Sequence, residues 1–483
     1  MLNRLYVNLN LTLSLAGLGV AGAYAETFKI DPSVLSVDDL KPRIVVLTDI
    51  APGDREPDDM ESIVRLLSHA DLFEIEALIT TSGWNSGGGA YSEEWASYLH
   101  TVIDAYEKDL PNLMKRSCQQ GFLPIEEESG QQKIGYWPSA EYLRDRHRMG
   151  SRYLGLEHIG KDNISSGSDI IIQLAEEKDS RPIWILVWGG GNTVAQALWQ
   201  LRESGDEEKL NKVLDKIRLY TITDQDVDWM QRGQYDISSH KWMRKTFGDR
   251  LFFIWDESAW LSQNEIGASN WTEYESKIQT KGNMGSVYPK YKYGVEGDTP
   301  SFLYVLPNGL NNPEQPEQGG WGGYFRHEVS PDSTTSCFTN MRPEIKYISQ
   351  KYEKYFYPAI FNNFAARMEW AASGVGNRNP ELVINGIDGL SPIEINASPG
   401  DNVLLDVGGS NDPDGDGIEF KWWIMPEAGD SIPEGCLEYV SSGNAEIKIP
   451  EDLESGDIHV ICECKDSGSI PLTSYRRIIL HVR

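Results

Sequence analysis

Five short, almost continuously apolar runs separated by amphipathic stretches constrain this chain more than any other feature. They read Arg43-Ile-Val-Val-Leu47, Ile75-Glu-Ala-Leu-Ile79, Ile183-Trp-Ile-Leu-Val187, Ile217-Arg-Leu-Tyr-Thr221 and Leu251-Phe-Phe-Ile254. A strand wetted on one face alternates apolar and polar residues, whereas a strand covered on both faces does not. Between the first two runs Met60, Ile63, Val64 and Leu67 recur at helical spacing, which makes a βαβ unit. From Lys41 to about Ala372 the expected fold class is therefore α/β, a mainly parallel sheet covered by helices. A helix over 343–372 should close it, with Phe361, Phe364, Ala365, Met368 and Ala372 on one stripe.

The ends of the chain have a different character. Arg4, an apolar run to Val20 and the small-residue ending Ala23-Tyr-Ala25 have the order of a secretory signal peptide over residues 1–25. The expected organisation is that leader, a large domain over 26–374 and a β-sandwich over 379–483. The implied location is secreted, periplasmic or at the cell surface, with no later membrane span. Gly374-Val-Gly-Asn-Arg-Asn-Pro380 reads as a linker, and as the expected point of proteolytic cleavage. Beyond it, short alternating segments with frequent turn residues give the sandwich. Within it, Asp412-Pro-Asp414-Gly-Asp416-Gly-Ile-Glu419 fits a calcium loop and an acidic turn equally. Of the five cysteines, Cys436 could bridge to Cys462 or Cys464, and the pairing is not readable from spacing. A formal net charge of −29 disfavours a phosphate backbone as partner, so nucleic acid is not expected.

Ligands of open α/β sheets collect outside the carboxyl ends of the strands. Those ends read Thr48-Asp49, Thr80-Thr-Ser-Gly-Trp84-Asn85, Trp188-Gly-Gly-Gly-Asn192 and Thr223-Asp224-Gln-Asp226. The first continues as Ile50-Ala-Pro-Gly-Asp54-Arg-Glu56-Pro-Asp58-Asp59, which crowds carboxylates between a buried strand and its helix. Acids at a helix start serve as caps and as partners of the helix dipole. Asp49, at the strand tip, is not explained that way, and the cluster suits a hard cation that needs roughly six to eight oxygens.

A strand, an Asp, a short Pro-Gly loop, an Asp-Asp pair and a helix form the pattern of the nucleoside hydrolases. The chain resembles one branch of nucleoside-hydrolase-like proteins, known as a cellulose-binding-protein family, that carries an immunoglobulin-like C-terminal domain. The resemblance rests on Thr48-Asp49-Ile50, Glu56-Pro-Asp58-Asp59, Ser62–Leu67, Ser166–Ile170, Val187–Thr193, Asp224–Asp226, Gly297–Phe302 and Gly319–Gly323. It implies Ca²⁺ held by Asp49, Asp59, Asp298 and the backbone near Asn192. It further implies Asp49 as the base for a water attacking an anomeric carbon, with Asp58 and Asn85 holding sugar hydroxyls.

Two departures shape the expected substrate. Eight residues separate Asp49 from Asp58, an enlarged loop in which Asp54 or Glu56 could replace a ligand. Where the nucleoside enzymes often carry a His before the distant Asp, this chain has Glu296-Gly-Asp298, so an oxygen-linked glycoside becomes the expected substrate. Trp84, Trp188, Trp229 and Trp321 fall in or beside the candidate loops and suit sugar faces, although indoles also pack in cores. Trp321, flanked by Gly319, Gly320, Gly322 and Gly323, is the strongest of them. Trp188, Asp224 and Glu296 complete the expected substrate contacts. The expected activity is a secreted, calcium-dependent hydrolase of glycosidic bonds. The alternatives are a carbohydrate- or cellulose-binding protein without turnover, and a true nucleoside hydrolase.

Overall fold

A computed structural model of the chain describes residues 40–483, apart from 56, 228–234, 430–434, 441, 442 and 454. The leader over 1–25, Glu56 and Trp229 lie outside the described residues. The apolar runs form strands β1 (Arg43–Thr48), β2 (Glu74–Thr80), β4 (Ile183–Val187), β5 (Ile217–Ile222) and β6 (Phe252–Asp256). With β3 (His147–Met149), β7 (Arg326–Val329) and β8 (Ser336–Thr339) they build one eight-stranded sheet in the order β3-β2-β1-β4-β5-β6-β8-β7. Every pairing is parallel except the hairpin of β7 with β8 at one edge. Helices cover both faces, which is why β1, β2 and β4 are buried along their whole length. Two separate cores result. One holds Ile44, Val46 and Leu78 against the helices Asp58–Leu67, Ala96–Arg116 and Pro343–Ser373; the other holds Val45, Leu47 and Ile79 against Ser166–Glu176 and Asn192–Ser204. On the last long helix Phe361, Phe364, Ala365 and Met368 are buried, while Ala372 is exposed.

The C-terminal segment forms two sheets that enclose a third core of Trp422, Ile458, Val460, Cys462, Ile478 and their neighbours. One sheet runs Ile418–Ile424, Gly456–Asp466, Thr473–Val482, Ile393–Ala397, and the other Asn402–Leu405, Ala445–Lys448, Leu437–Tyr439. Among the described residues no cysteines are bridged: Cys436, Cys462 and Cys464 sit in the sandwich as small buried apolar groups. In the acidic turn Asp412 accepts the N–H groups of Asp414 and Asp416, and Asp414 pairs with Arg116 and Arg378. The turn is thus held by its own backbone and by two arginines.

The sandwich is fastened to the sheet domain. Arg477, fully buried, donates to the carbonyls of Leu310 (2.9 Å), Gly319 (2.8 Å) and Gln318 (3.2 Å). Met425, Ile461 and Tyr475 join the first core. The segment read as a linker is part of this junction: Asn377 donates to Asp466 at 2.8 Å, and its carbonyl accepts from the Trp370 indole at 2.8 Å. Backbone tied down in this way resists proteases. Limited proteolysis with mass spectrometric mapping is therefore expected to spare 374–380, against the cleavage that composition alone suggests. Release of two stable fragments cut there would mean the junction opens in solution.

Candidate functional site

At the carboxyl edge of the sheet, β1 delivers Asp49 and the helix Asp58–Leu67 begins with Asp58 and Asp59. The helix forms because its apolar residues share one face. Its N-terminus has no side-chain cap from Pro57, so the acids of its first turn meet free N–H groups. Asp59 is turned back toward the strand: its carboxylate accepts the Thr48 hydroxyl and the backbone N–H of Asp49. Asp298 arrives from the other side, at the start of the helix Thr299–Val305. One carboxylate oxygen from each of Asp58, Asp59 and Asp298 lies within 4.8 Å of the others. Opposed oxygens around a calcium ion stand about 4.6–5.2 Å apart, twice its usual bond length.

Burial raises the carboxyl of Asp58 above its ordinary range. Burial, and then the charge of Asp58, raises that of Asp59. Among the described residues no Lys or Arg lowers the carboxyl of either acid, and Asp58 Oδ1 is buried without a hydrogen bond. An acid cluster of this kind is costly until a cation neutralises it. The donors therefore fit a hard, oxygen-binding ion. Gly297 is part of the fit, because a Cβ there would sit 2.9 Å from Asp58 Oδ2.

Asp49 stands beside this trio rather than in it. Its Oδ2 accepts the Asn85 N–H at 3.1 Å, and the Asn85 side chain donates to its carbonyl at 2.9 Å. The carboxylate fits against two glycines: a Cβ on Gly83 would lie 2.3 Å from its Cγ, and one on Gly189 would lie 3.2 Å from its Oδ1. Asn85 thus holds Asp49 through both its backbone N–H and its side-chain amide nitrogen. Asp58, half-buried, replaces Asp49 in the clustered trio. Asp54 is exposed and its carbonyl accepts from Lys292, so it supplies nothing to the cluster.

Other sequence candidates are placed elsewhere. Trp188 is fully buried and donates to the Ser301 hydroxyl at 2.7 Å, so it is core. Trp321, 4 % exposed, packs edge-on against Tyr475, 5.9 Å between ring centroids, under the sandwich. Its glycines serve close backbone packing, since a Cβ on Gly322 would strike the Pro300 carbonyl at 2.3 Å. Glu296 is completely buried, pairs with Arg65 and accepts from Tyr288 at 2.8 Å and Gln263 at 3.1 Å. Its backbone, at φ 55°, lies in the left-handed region just before Gly297 and Asp298. Asn192 uses its amide to hold both backbone groups of Gly155. Asp224 is fixed by the Ser238 hydroxyl at 2.6 Å beside Asp226 and His240.

Trp84 follows Gly83, a glycine packed on Asp49. Partly exposed, it donates through its indole to the Val227 carbonyl (2.9 Å) and stands 6.4 Å from Trp260 in an edge contact. Its neighbours in the loops signalled it no more strongly than Trp188. Thr48 and Gly83 stand in the strand-end motifs without being singled out, and His240 stands in none.

With this geometry established, the comparisons with known proteins agree on one kinship. Residues 43–325 match the family described as cellulose-binding Sde182, nucleoside hydrolase-like domain, and residues 402–482 match the cellulose-binding protein Sde0182, C-terminal domain. Among solved structures the chain is similar to a nucleoside hydrolase-related hypothetical protein from Saccharophagus degradans that is associated with carbohydrate metabolism. The two are 31 % identical with a TM-score of 0.77, over 92 % of this chain and 100 % of that one. Tandem Ig repeats of Dlar match 22 % of this chain and 48 % of theirs at 17 % identity, with a TM-score of 0.14, too low to carry an argument. No curated protein matches.

Proposed function

The chain belongs to the cellulose-binding, nucleoside hydrolase-like Sde182 family, and from that premise we propose that it is a hydrolase of carbohydrate O-glycosides. The observation that carries this reading is the convergence of Asp58, Asp59 and Asp298 beside Asp49 at the carboxyl edge of the sheet. Asp58, Asp59 and Asp298 would hold Ca²⁺. When bound, the cation supplies a positive field that orients water and makes its proton easier to lose. Asp49 takes that proton, because its carboxylate is held in place by the Asn85 N–H and by two glycines that admit no side chain between them and it. The carboxylates around the pocket favour the positive charge that develops at the anomeric carbon. Trp84 offers the ring face for the sugar.

A nucleoside substrate is less well supported, because no His precedes Asp298, and Glu296 in that region is fully buried and already paired with Arg65. A non-catalytic role in cellulose binding is the second reading, favoured by the family's description. Incubation of the full chain with aryl glycosides, cello-oligosaccharides and nucleosides, in calcium or in chelator, separates the three. Release of reducing ends that chelator abolishes is the expected result. Retention on cellulose with no product from any substrate would replace hydrolysis by binding.

A further inference from the structure

Across the Gly189-Gly190-Gly191 turn from Asp49 lies a second cluster, chemically unlike the first. A ring nitrogen of His240 and a carboxylate oxygen from each of Asp224 and Asp226 lie within 4.8 Å of one another. All three residues are buried, with 0, 3 and 3 % exposure respectively. Neither ring nitrogen of His240 has a hydrogen-bond partner, and neither do Asp226 Oδ1 and the adjacent Ser239 hydroxyl. Each such atom costs about 1–3 kcal/mol if left unpaired, so the two His240 nitrogens and Asp226 Oδ1 favour a ligand that answers them together.

The surroundings aim these atoms at a common point. Asp226 Oδ2 is tied to the Ser239 N–H at 2.5 Å and Asp224 Oδ2 to the Ser238 hydroxyl at 2.6 Å, the outer support that metal-binding carboxylates commonly have. The glycine turn leaves the room: a Cβ on Gly190 would sit 2.9 Å from Asp226 Oδ1, and one on Gly191 would sit 2.4 Å from His240 Nε2. No hydrogen bond joins the imidazole to either carboxylate, so the three approach one another without touching.

We propose that Asp224, Asp226 and His240 form a second metal site, for a divalent transition ion of the zinc class. One imidazole nitrogen with two carboxylate oxygens suits such an ion, at bonds of about 2.0–2.2 Å, whereas the all-oxygen trio of Asp58, Asp59 and Asp298 suits calcium. The ion ties the loop after β5 to the helix Ser239–Phe247, and the turn that backs Asp49 is packed against both.

The test is calorimetric titration of the chelator-stripped full chain with Zn²⁺ in excess Ca²⁺, which saturates the oxygen site. One equivalent of zinc should bind. His240→Gln and Asp226→Asn should each weaken it beyond the roughly 10–100-fold lost with an outer-shell partner, and Asp59→Asn should leave it unchanged. Circular dichroism checks the variants' folding, and Asp224→Asn stands in for any that fails to fold. Absence of zinc binding by the parent chain, or undiminished binding by folded His240→Gln and Asp226→Asn, overturns the site. Because the titration reads zinc alone, it stands or falls separately from the glycosidase reading.

Discussion

Asp49→Asn is expected to lower glycoside turnover by about 10²–10⁴-fold while leaving the protein folded. Asn has the size of Asp and can still accept the Asn85 N–H through its amide oxygen, so the contact at 3.1 Å survives the change. What it lacks is a proton-accepting charge. Asp49 lies outside the clustered acids, so calcium affinity should change far less than rate. The measurement is steady-state kinetics together with calcium titration of the same variant. A folded Asp49→Asn protein working at the parent rate sinks the mechanism, and one that loses calcium but not the residual chemistry moves Asp49 into the metal site.

The second large effect concerns stability. Arg65→Met is expected to cost about 3–5 kcal/mol, because it strands a carboxylate in the core. Arg65 and Glu296 are 1 % and 0 % exposed, and Arg65 also donates to the Ile360 carbonyl at 2.8 Å, which pins the long helix Pro343–Ser373 to the helix of the acid pair. Burial lifts the Glu296 carboxyl above its ordinary range even though Arg65 pulls it down, the signature of a charge that depends on its partner. Glu61 lies in the same buried network, accepting the Glu296 N–H at 2.8 Å, and burial raises its carboxyl well above the usual range. Urea denaturation measures the loss. Glu296→Gln added to Arg65→Met should recover part of it, since the stranded charge is then gone. A loss below about 1 kcal/mol would place the pair among those whose desolvation cancels their attraction.

The acids at the sheet edge illustrate what the sequence can and cannot convey. The strands were legible because burial on both faces leaves a run such as Ile183–Val187 with hardly any polar residue. Asp59 and Asp298 draw attention in the sequence because each stands where a loop hands over to a helix, and the fold brings both beside Asp58. The sequence grouped Asp49 with Asp59 and Asp298, whereas the fold clusters Asp58 with them, since only the folded loop turns the Asp49 N–H onto Asp59 and closes Asn85 over Asp49. Glu296 and Trp188 carried the residue types of a binding site. Their partners, Arg65 and Ser301, are distant in the chain, and no local spacing announces that they are already taken. Trp321 was misread for a related reason: its flanking glycines signal close packing as readily as mobility, and Tyr475 decides between them. His240, fourteen positions beyond Asp226, belongs to no spacing that periodicity reveals.

Arg477 gives the molecule a timetable. The loop it grips is the one from which Asn311 caps the helix of Asp298, donating to the carbonyls of Leu303 at 2.7 Å and Leu306 at 2.8 Å. A ribosome makes β1, with Asp49, more than four hundred residues before it reaches Arg477. N-terminal parts generally fold first during synthesis. Asp49, Asp59 and Asp298 are all made before the strand Thr473–Val482, whose Arg477 then braces the loop behind the helix of Asp298.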